Sequence, residues 1–378
     1  MSSICAVSAR LGCRLHVVAA VAQPRRSVTV GIVGGSGFVG CRTAVRLSEA
    51  GYSVRIIARH PHHIQRQVKN EDMIIEEGFT SGGNVRRRHR PGLKSKIKEG
   101  LASIGESLER DDSVPKIFME FAEANASKKG NNDELRAALT GCDGVINCVG
   151  ILAEGVRRGS FDNVHHQAAA SVAALSKEVG VKRLVHISAI GASDDSNSSY
   201  SRSKAQGEAA VIEQFPRATI LRPSLVVGRG DGFFSLFDRM ARLSPILPLV
   251  GGGHAKFQPV HIDDVAEACI AVLTTGQTQG KTYELGGPDV FTFKELLKMM
   301  LEADRRKRIL LPIPMPMAYL QAMVLQYLPG KVLTLDQVRL LQQDNVVSPS
   351  ALSMADLGMV DPLSVSEALE DIFKYRRL

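Results

Sequence analysis

Between a β-branched run at residues 27–33 and a helix-like segment at 41–50, the chain reads Gly34-Gly35-Ser36-Gly37-Phe38-Val39-Gly40. No other feature narrows the fold as much, because glycines at this spacing between a strand and a helix each answer a separate steric demand. The first permits a tight turn, the second lets backbone approach a pyrophosphate, and the third lets the helix pack closely on the strand. Phosphates would sit on the free N–H groups of the helix start, where the helix dipole favours negative charge. The glycines alone also fit an ordinary strand-to-helix turn; the flanking elements are what make them a dinucleotide fingerprint. Gly34, Ser36, Gly37, Phe38, Val39 and Gly40 are therefore candidate cofactor-binding residues.

The next apolar strand, 53–58, ends in Arg59 and His60, where an NAD-binding chain would present an acid to the adenosine ribose. An acid there repels a 2′-phosphate, whereas a guanidinium binds it bidentately, so NADPH is favoured over NADH. A solvated strand-end arginine is the bland alternative. A further strand at 144–148 closes with Asn147-Cys148-Val149-Gly150, which would bring Cys148, Val149 and Gly150 against the ribose and nicotinamide side. With no cationic neighbour in sequence to lower its pKa, Cys148 reads as a small packing residue. A helix over 167–179 stops at Gly180, and a strand over 183–187 is followed by Ser188 and then by Tyr200-Ser201-Arg202-Ser203-Lys204. Tyr200 and Lys204 share one helix face. The ammonium is expected to lower the phenol's pKa and hold the ribose, so that Tyr200 could give a proton to a carbonyl. An exposed helical pair is the alternative here.

Composition excludes several other classes. At 378 residues, 44% hydrophobic and 23% charged, the chain is globular and long enough for one large α/β domain or two sharing a core. Its net charge of +8 is unevenly placed, with no acidic residue before Glu49, so a uniformly basic nucleic-acid coat does not fit. Six scattered cysteines without a C-x-x-C pair or a Cys/His cluster argue against a disulfide scaffold and a structural zinc site. Residues 1–26 carry Arg10, Arg14, Arg25 and Arg26 and no acid, the pattern of a mitochondrial transit peptide. Those arginines interrupt any apolar run long enough for a secretory signal; a disordered tail stays open.

Taken in order, these motifs resemble an atypical extended short-chain dehydrogenase/reductase, which combines Gly-x-x-Gly-x-x-Gly, an Asn/Gly motif after the fourth strand, Tyr-x-x-x-Lys and an Arg-Pro strand, here Leu221-Arg222-Pro223-Ser224. Further runs narrow the likeness: Gly228-Arg229-Gly230-Asp231-Gly232, Gln258-Pro259-Val260-His261-Ile262-Asp263-Asp264, Tyr283-Glu284-Leu285-Gly286-Gly287-Pro288 and Asp336-Gln337-Val338-Arg339. Together they are similar to the nucleotide-binding accessory subunits of respiratory complex I, the alpha-subcomplex subunit 9 family, over residues 28–60 and from 124 onward. The resemblance implies a matrix-side subunit of NADH:ubiquinone oxidoreductase, in contact with other complex I subunits, that holds a structural NADPH, and it adds Pro223 to the candidate site. Two departures stand out. Active extended reductases carry a serine-rich turn after the fifth strand, whereas Ser188 is followed by Ala189, which puts turnover in doubt. The second departure is the stretch 61–114, with one aromatic residue, Phe79, and a dense basic run from Arg86 to Lys98. It reads as a mobile insertion off the Rossmann core, with a local helix over 94–108. Its charges are solvated or face anionic lipid or an acidic subunit; RNA contact is disfavoured because no aromatic platform accompanies them.

Residues 309–330 carry no formal charge, yet Pro312, Pro314 and Pro316 prevent a continuous helix. What remains, 317–328, would be roughly 18 Å long against a bilayer core of roughly 30 Å, so no membrane span is expected. A buried helix of the lobe is the favoured reading. The preceding Arg305, Arg306, Lys307 and Arg308 leave a peripheral membrane-surface or subunit contact open. His261 reads as a packed or hydrogen-bonded residue, with Asp263 and Asp264 at a helix start. The expected architecture is α/β: a doubly wound parallel Rossmann sheet over 27–245, interrupted by 61–114, with a smaller C-terminal α/β lobe over mainly 246–378. The expected function is a non-catalytic, NADPH-holding accessory subunit. A soluble NADPH-dependent reductase or epimerase using Tyr200 and Lys204, and a complex I assembly factor, are the alternatives.

Overall fold

The computed structural model describes residues 28–59, 75–81, 84–86, 117–123, 126, 132–155, 159–326 and 333–374. The arm 1–26, His60 and the expected helix at 94–108 lie outside these residues. In chain order the first half comprises β1 (Thr29–Val33), α1 (Phe38–Glu49), β2 (Ser53–Ala58), β3 (Ile75–Ser81), β4 (Asn84–Arg86), β5 (Ile117–Glu123), α2 (Asp133–Leu139), β6 (Gly144–Asn147), a π-helical turn (Asp162–Gln167) running into α3 (Ala168–Glu178), and β7 (Arg183–Ile187). There follow α4 (Ser199–Gln214), β8 (Thr219–Pro223), β9 (Val226–Val227), α5 (Gly232–Leu243), β10 (Ile246–Val250), β11 (Lys256–Phe257), β12 (Val260–His261), α6 (Ile262–Thr274) and β13 (Thr282–Leu285). The chain continues with β14 (Phe291–Thr292), α7 (Phe293–Ala303), β15 (Ile309–Ile313), α8 (Met315–Leu325), α9 (Leu335–Leu340) and α10 (Val365–Lys374).

Nine strands of the described residues form one sheet, in the order β13-β8-β7-β6-β1-β2-β5-β3-β4. All neighbours pair parallel except β3 and β4. The central order is that of a doubly wound fold, and its direction reverses between β1 and β6, where a ligand crevice opens at the strands' C-terminal ends. Strand sequences are apolar on both faces, as a sheet covered by helices on both sides requires. Val30, Ile32, Ile56, Ile146 and Leu221 pack under α1 and α6, whereas Val33, Ile57, Val145, Leu184 and Ile220 pack under α2, α3 and α4. Successive strand residues point to opposite faces, so one apolar run serves both layers. Each fully buried Leu or Ile in these layers contributes roughly 1.5–3 kcal/mol.

Two differences from the sequence expectation concern the insertion and the C-terminal helix. Within 61–114, β3 adds parallel to β5 and β4 adds antiparallel to β3, so part of the stretch extends the sheet edge. An edge strand is held chiefly by its backbone ladder, which a low aromatic content does not prevent. The apolar segment after Pro314 forms α8, but it buries only the small Ala318 and Ala322, while Met317, Leu320, Met323 and Val324 are exposed. The expected buried helix is thus replaced by a half-buried one: Met315 and Tyr319 pack partly on the core with the two alanines, and four large side chains face outward. Among the described residues no helix is long and apolar enough to cross a membrane.

The smaller lobe has its own core. Phe234 of α5, Leu247 and Leu249 of β10, Phe293, Leu296, Leu297 and Met300 of α7 and Leu369 of α10 pack together. Residues 262–285 return to the Rossmann layer as α6 and β13, and α6 is fastened to α1 by a bidentate Arg42–Asp263 pair whose Nη2–Oδ2 distance is 2.9 Å. At the junction before α6 the His261 side chain accepts from Asp263 N–H, with Asp263 and Asp264 in the first turn.

Candidate functional site

The glycine turn lies at the reversal point. Gly34 has φ +80° and donates its N–H to Ile57 O at 2.8 Å, and Gly37 N–H closes on Gly34 O at 2.9 Å. A Cβ on Gly40 would stand 2.6 Å from Gly34 O and 2.7 Å from Gly35 Cα, so α1 rests directly on the turn. A Cβ on Gly35 would meet Ile56 Cγ2 at 2.9 Å. Gly37 is the N-cap of α1, without a side-chain cap and without an acid in the first turn, which leaves helix-start N–H groups for an anion. Ser36, Phe38 and Val39 are half-buried around this turn, and Arg59, exposed, follows directly on β2, whose Ile57 carbonyl holds Gly34.

The turn after β6 adjoins it. Cys148 N–H donates to Val33 O at 2.8 Å, and a Cβ on Gly34 would lie 3.1 Å from the backbone of Cys148 and Val149. Burial pushes the Cys148 thiol up to about 12, so it is a neutral packing group. Asn147 shapes this turn by accepting from Val149 N–H at 3.2 Å and donating Nδ2 to His186 Nδ1 at 3.1 Å. His186 therefore carries its proton on Nε2, which is buried without a partner. Burial and the charge of Lys204 hold it neutral, with its pKa pulled down to about 3.

Helix α4 closes the far wall. Lys204 is buried, donates Nζ to Ile187 O at 3.2 Å, and lies 3.2 Å from where a Cβ on Gly150 would be. Burial pulls its ammonium down to about 8, against the Glu208 carboxylate, which holds it up. Glu208 is itself clamped by Arg222 of β8 at 2.9 and 2.6 Å. The expectation that Lys204 lowers the Tyr200 phenol is corrected: burial pushes the phenol up to about 12, so it stays protonated at neutral pH. Ser188 N–H donates to Leu221 O at 2.7 Å, and its Oγ is buried without a partner. Pro223, buried at the end of β8, accepts Ile190 N–H at 3.0 Å, which ties the turn after β7 to the next strand.

Sequence reasoning missed the residue that joins these walls. His165 projects from the π-helical turn, accepts Ile151 N–H on Nε2 at 3.0 Å, and therefore donates Nδ1–H to Ser203 Oγ at 2.8 Å. Ser203 in turn donates to Tyr200 O at 2.8 Å. The imidazole stacks on Phe161 and meets Tyr200 edge-on, each with centroids 5.3 Å apart. Burial, with Lys204 and His186 beside it, pulls His165 down to about 2, which keeps it neutral. Gly207 allows this approach, since a Cβ there would stand 2.2 Å from His165 O. The available signal was helical spacing: Phe161, His165, Ala168 and Val172 fall on one buried face.

The arrangement fits a dinucleotide. Glycines keep the crevice clear of Cβ atoms, a helix start offers N–H groups, and Lys204 together with the partnerless Ser188 Oγ and His186 Nε2 supplies polar atoms on the opposite wall. Of the residues expected from sequence, the structure brings together Gly34, Ser36, Gly37, Phe38, Val39, Gly40, Arg59, Cys148, Val149, Gly150, Ser188, Tyr200, Lys204 and Pro223 at the C-terminal ends of β1, β2, β6, β7 and β8 or on the adjoining helices. His60 lies outside the described residues. Among the described residues no cluster of His, Cys, Asp and Glu could hold a metal.

Comparison with known proteins agrees with this geometry. The profile of the NAD dependent epimerase/dehydratase family matches residues 30–286. The chain is 36% identical over 258 residues to the mitochondrial NADH dehydrogenase [ubiquinone] 1 alpha subcomplex subunit 9 of Arabidopsis thaliana, covering 65% of this chain and 64% of that protein. It is 32% identical to the protein of the same name in Dictyostelium discoideum, over 61% of this chain and 64% of that protein. The chain thus spans a little under two thirds of the length of these relatives. Among solved structures, Citrobacter sp. triphenylmethane reductase complexed with NADP(H) superposes with a TM-score of 0.59 at 15% identity, over 90% of this chain and 99% of that one. At that identity the likeness concerns the fold.

Proposed function

We propose that this chain, which belongs to the NAD dependent epimerase/dehydratase family, is a mitochondrial accessory subunit of respiratory complex I that holds NADPH without consuming it. The relatives' names support the setting, and the glycine crevice supports a dinucleotide ligand. The observation that carries the reading is the contrast within one site: a glycine cradle kept clear of Cβ atoms stands opposite a turn after β7 in which Ser188 is followed by Ala189. When bound, the nicotinamide can supply a hydride. The chain's own residues are set to bind and orient the group: the α1 start and Arg59 take the phosphates, Gly150 and Lys204 take the ribose, and Ala189 stands where active relatives offer a hydroxyl.

The matrix face of the inner membrane is the proposed location, with α8 as the contact surface. Met317, Leu320, Met323 and Val324 of α8 are exposed, as are Ile309 and Leu311 of the preceding β15 and the cations Arg305 and Lys307 just before it in the chain. Exposed apolar side chains on a segment preceded by cations suit an anionic lipid surface. A second reading, a soluble NADPH-dependent reductase or epimerase, draws on Tyr200 and Lys204 sharing a helix face. Native-gel separation of solubilised mitochondrial membranes with mass spectrometry tests the assignment. Comigration with complex I supports the subunit, and migration as a free protein that oxidises NADPH with carbonyl compounds would replace it with the reductase. Transient association during biogenesis only would make it an assembly factor.

A further inference from the structure

The C-terminal lobe reaches the wall of the crevice through one carboxylate. Asp336, in the first turn of α9, accepts Ser199 N–H on Oδ1 at 2.7 Å, and accepts Tyr200 N–H at 3.0 Å and Ser198 Oγ–H at 2.8 Å on Oδ2. Ser198 is the N-cap of α4, and its Oγ accepts Ser201 N–H at 3.3 Å. A helix start leaves its first N–H groups without partners inside the helix. In α4 those groups are satisfied jointly by the local serine and by an acid from the other lobe, which also places a negative charge at the positive end of the helix dipole. The helix served in this way is the one that presents Tyr200 and, one turn on, Lys204.

Asp336 is firmly mounted. Its helix opens with a reciprocal cap between Thr334 and Gln337, and the next buried residue, Val338, packs with Ala318 and Ala322 of α8 and with Val250 and Ile313. Tyr319 of α8 donates its hydroxyl to Gln342 Oε1 at 2.8 Å. The Asp336 side chain is only 15% exposed, and the Arg339 guanidinium stands 3.9 Å from it. A continuous set of contacts therefore runs from the outward apolar face of α8, through α9 and Asp336, to the first turn of α4.

We propose that Asp336 is a positioning residue for the NADP(H) site, and that through it cofactor occupancy and the packing of α8 on α9 form one linked equilibrium. The inference rests on the reading that this chain holds NADP(H). A ligand that orders Lys204 fixes the first turn of α4, which strengthens the Asp336 contacts and settles α9 and α8. Linkage makes the effect reciprocal, so loosening α9 weakens the ligand by the same factor. Cofactor occupancy thereby tunes the α8 surface.

The test uses the full chain, NADPH titration and hydrogen exchange. In the parent chain, NADPH should bind and slow exchange both around Gly34–Gly40 and in peptides covering 315–326 and 333–341. Asp336→Ala should weaken NADPH about tenfold, the scale of losing a helix cap. At saturation it should keep protection at the glycine turn and lose it over α8 and α9. Asp336→Asn, which keeps the shape and one acceptor oxygen, serves if the alanine chain does not fold, and should weaken NADPH about threefold, a fraction of the cap's worth, with partial protection. Unchanged affinity in a folded variant, or α8 and α9 protection that survives in it, overturns the inference while leaving NADPH binding standing. A parent chain that binds no NADPH overturns the cofactor reading and this inference together.

Discussion

Replacing His165 with leucine tests the neutral imidazole at the heart of the site, and the structure gives both the size and the pH dependence of the effect. Leucine is close in volume but can neither accept Ile151 N–H nor donate to Ser203 Oγ. Leaving a buried N–H without a partner costs about 1–3 kcal/mol. Losing the ring contacts with Phe161 and Tyr200 adds about 0.5–1.5 kcal/mol, for about 3 kcal/mol in all at pH 7. His165 has a folded pKa of about 2 against an ordinary value of 6.5, so below pH 6.5 the unfolded chain binds a proton that the folded chain refuses. Its contribution is complete above pH 6.5 and is lost progressively as the pH falls towards 2. The parent should lose about 1.4 kcal/mol per pH unit from this group, and the leucine variant should lose none. Urea unfolding of both chains should give a gap of about 3 kcal/mol at pH 7 that closes to about 1 kcal/mol at pH 5. Taking the difference cancels Asp231 and Asp264, which burial raises to about 6 and about 7 and which titrate in the same window with the opposite sign. A gap that stays constant from pH 7 to pH 5 would refute the reasoning, because His165 would then titrate alike in both states.

Arg59→Asp should replace a phosphate-binding cation with an anion, weakening NADPH at least tenfold while leaving NADH little changed, as read by paired titrations. Equal losses for both would remove Arg59 from the 2′-phosphate site. Gly40→Ala should press a Cβ into Gly34 O and Gly35 Cα, both backbone, costing about 1–3 kcal/mol in thermal or urea unfolding together with most NADPH affinity. Leu320→Ser with Val324→Ser changes side chains 63% and 64% exposed, so folding stability should hardly move. The same pair should abolish flotation with vesicles rich in anionic phospholipid, and retention by both kinds of chain on neutral vesicles would set aside the anionic-surface reading.

The Rossmann half was legible because its signals are local. The glycine turn, the strand runs and the Tyr200–Lys204 spacing each lie within a few residues, and the parallel order follows once strands alternate with helices. What could not be read depends on contacts between distant segments. The bond from Asp336 to the α4 start and the clamp of Arg222 on Glu208 leave no periodic trace in sequence. The Tyr200 phenol was expected to be lowered by its helical neighbour, but burial, which sequence spacing does not report, dominates. The segment of α8 is too short to span a membrane, and a buried lobe helix is the reading its sequence favours. Its alanines face inward while Met317, Leu320, Met323 and Val324 face outward, and composition is blind to that choice. The strands at 75–86 were obscured by the basic run that follows them, since an edge pairs through its backbone.

The central claim, that NADPH is held and not consumed, is met most directly by Tyr200→Phe in cells, followed by isolation of complex I and measurement of its NADPH content and its NADH:ubiquinone activity. The hydroxyl is the group a reductase would need, and phenylalanine keeps the ring beside His165. The account expects the complex to assemble with NADPH present and with activity close to the parent's. An assembled complex that retains NADPH but has lost activity would contradict it, because the Tyr200 hydroxyl would then be chemically required.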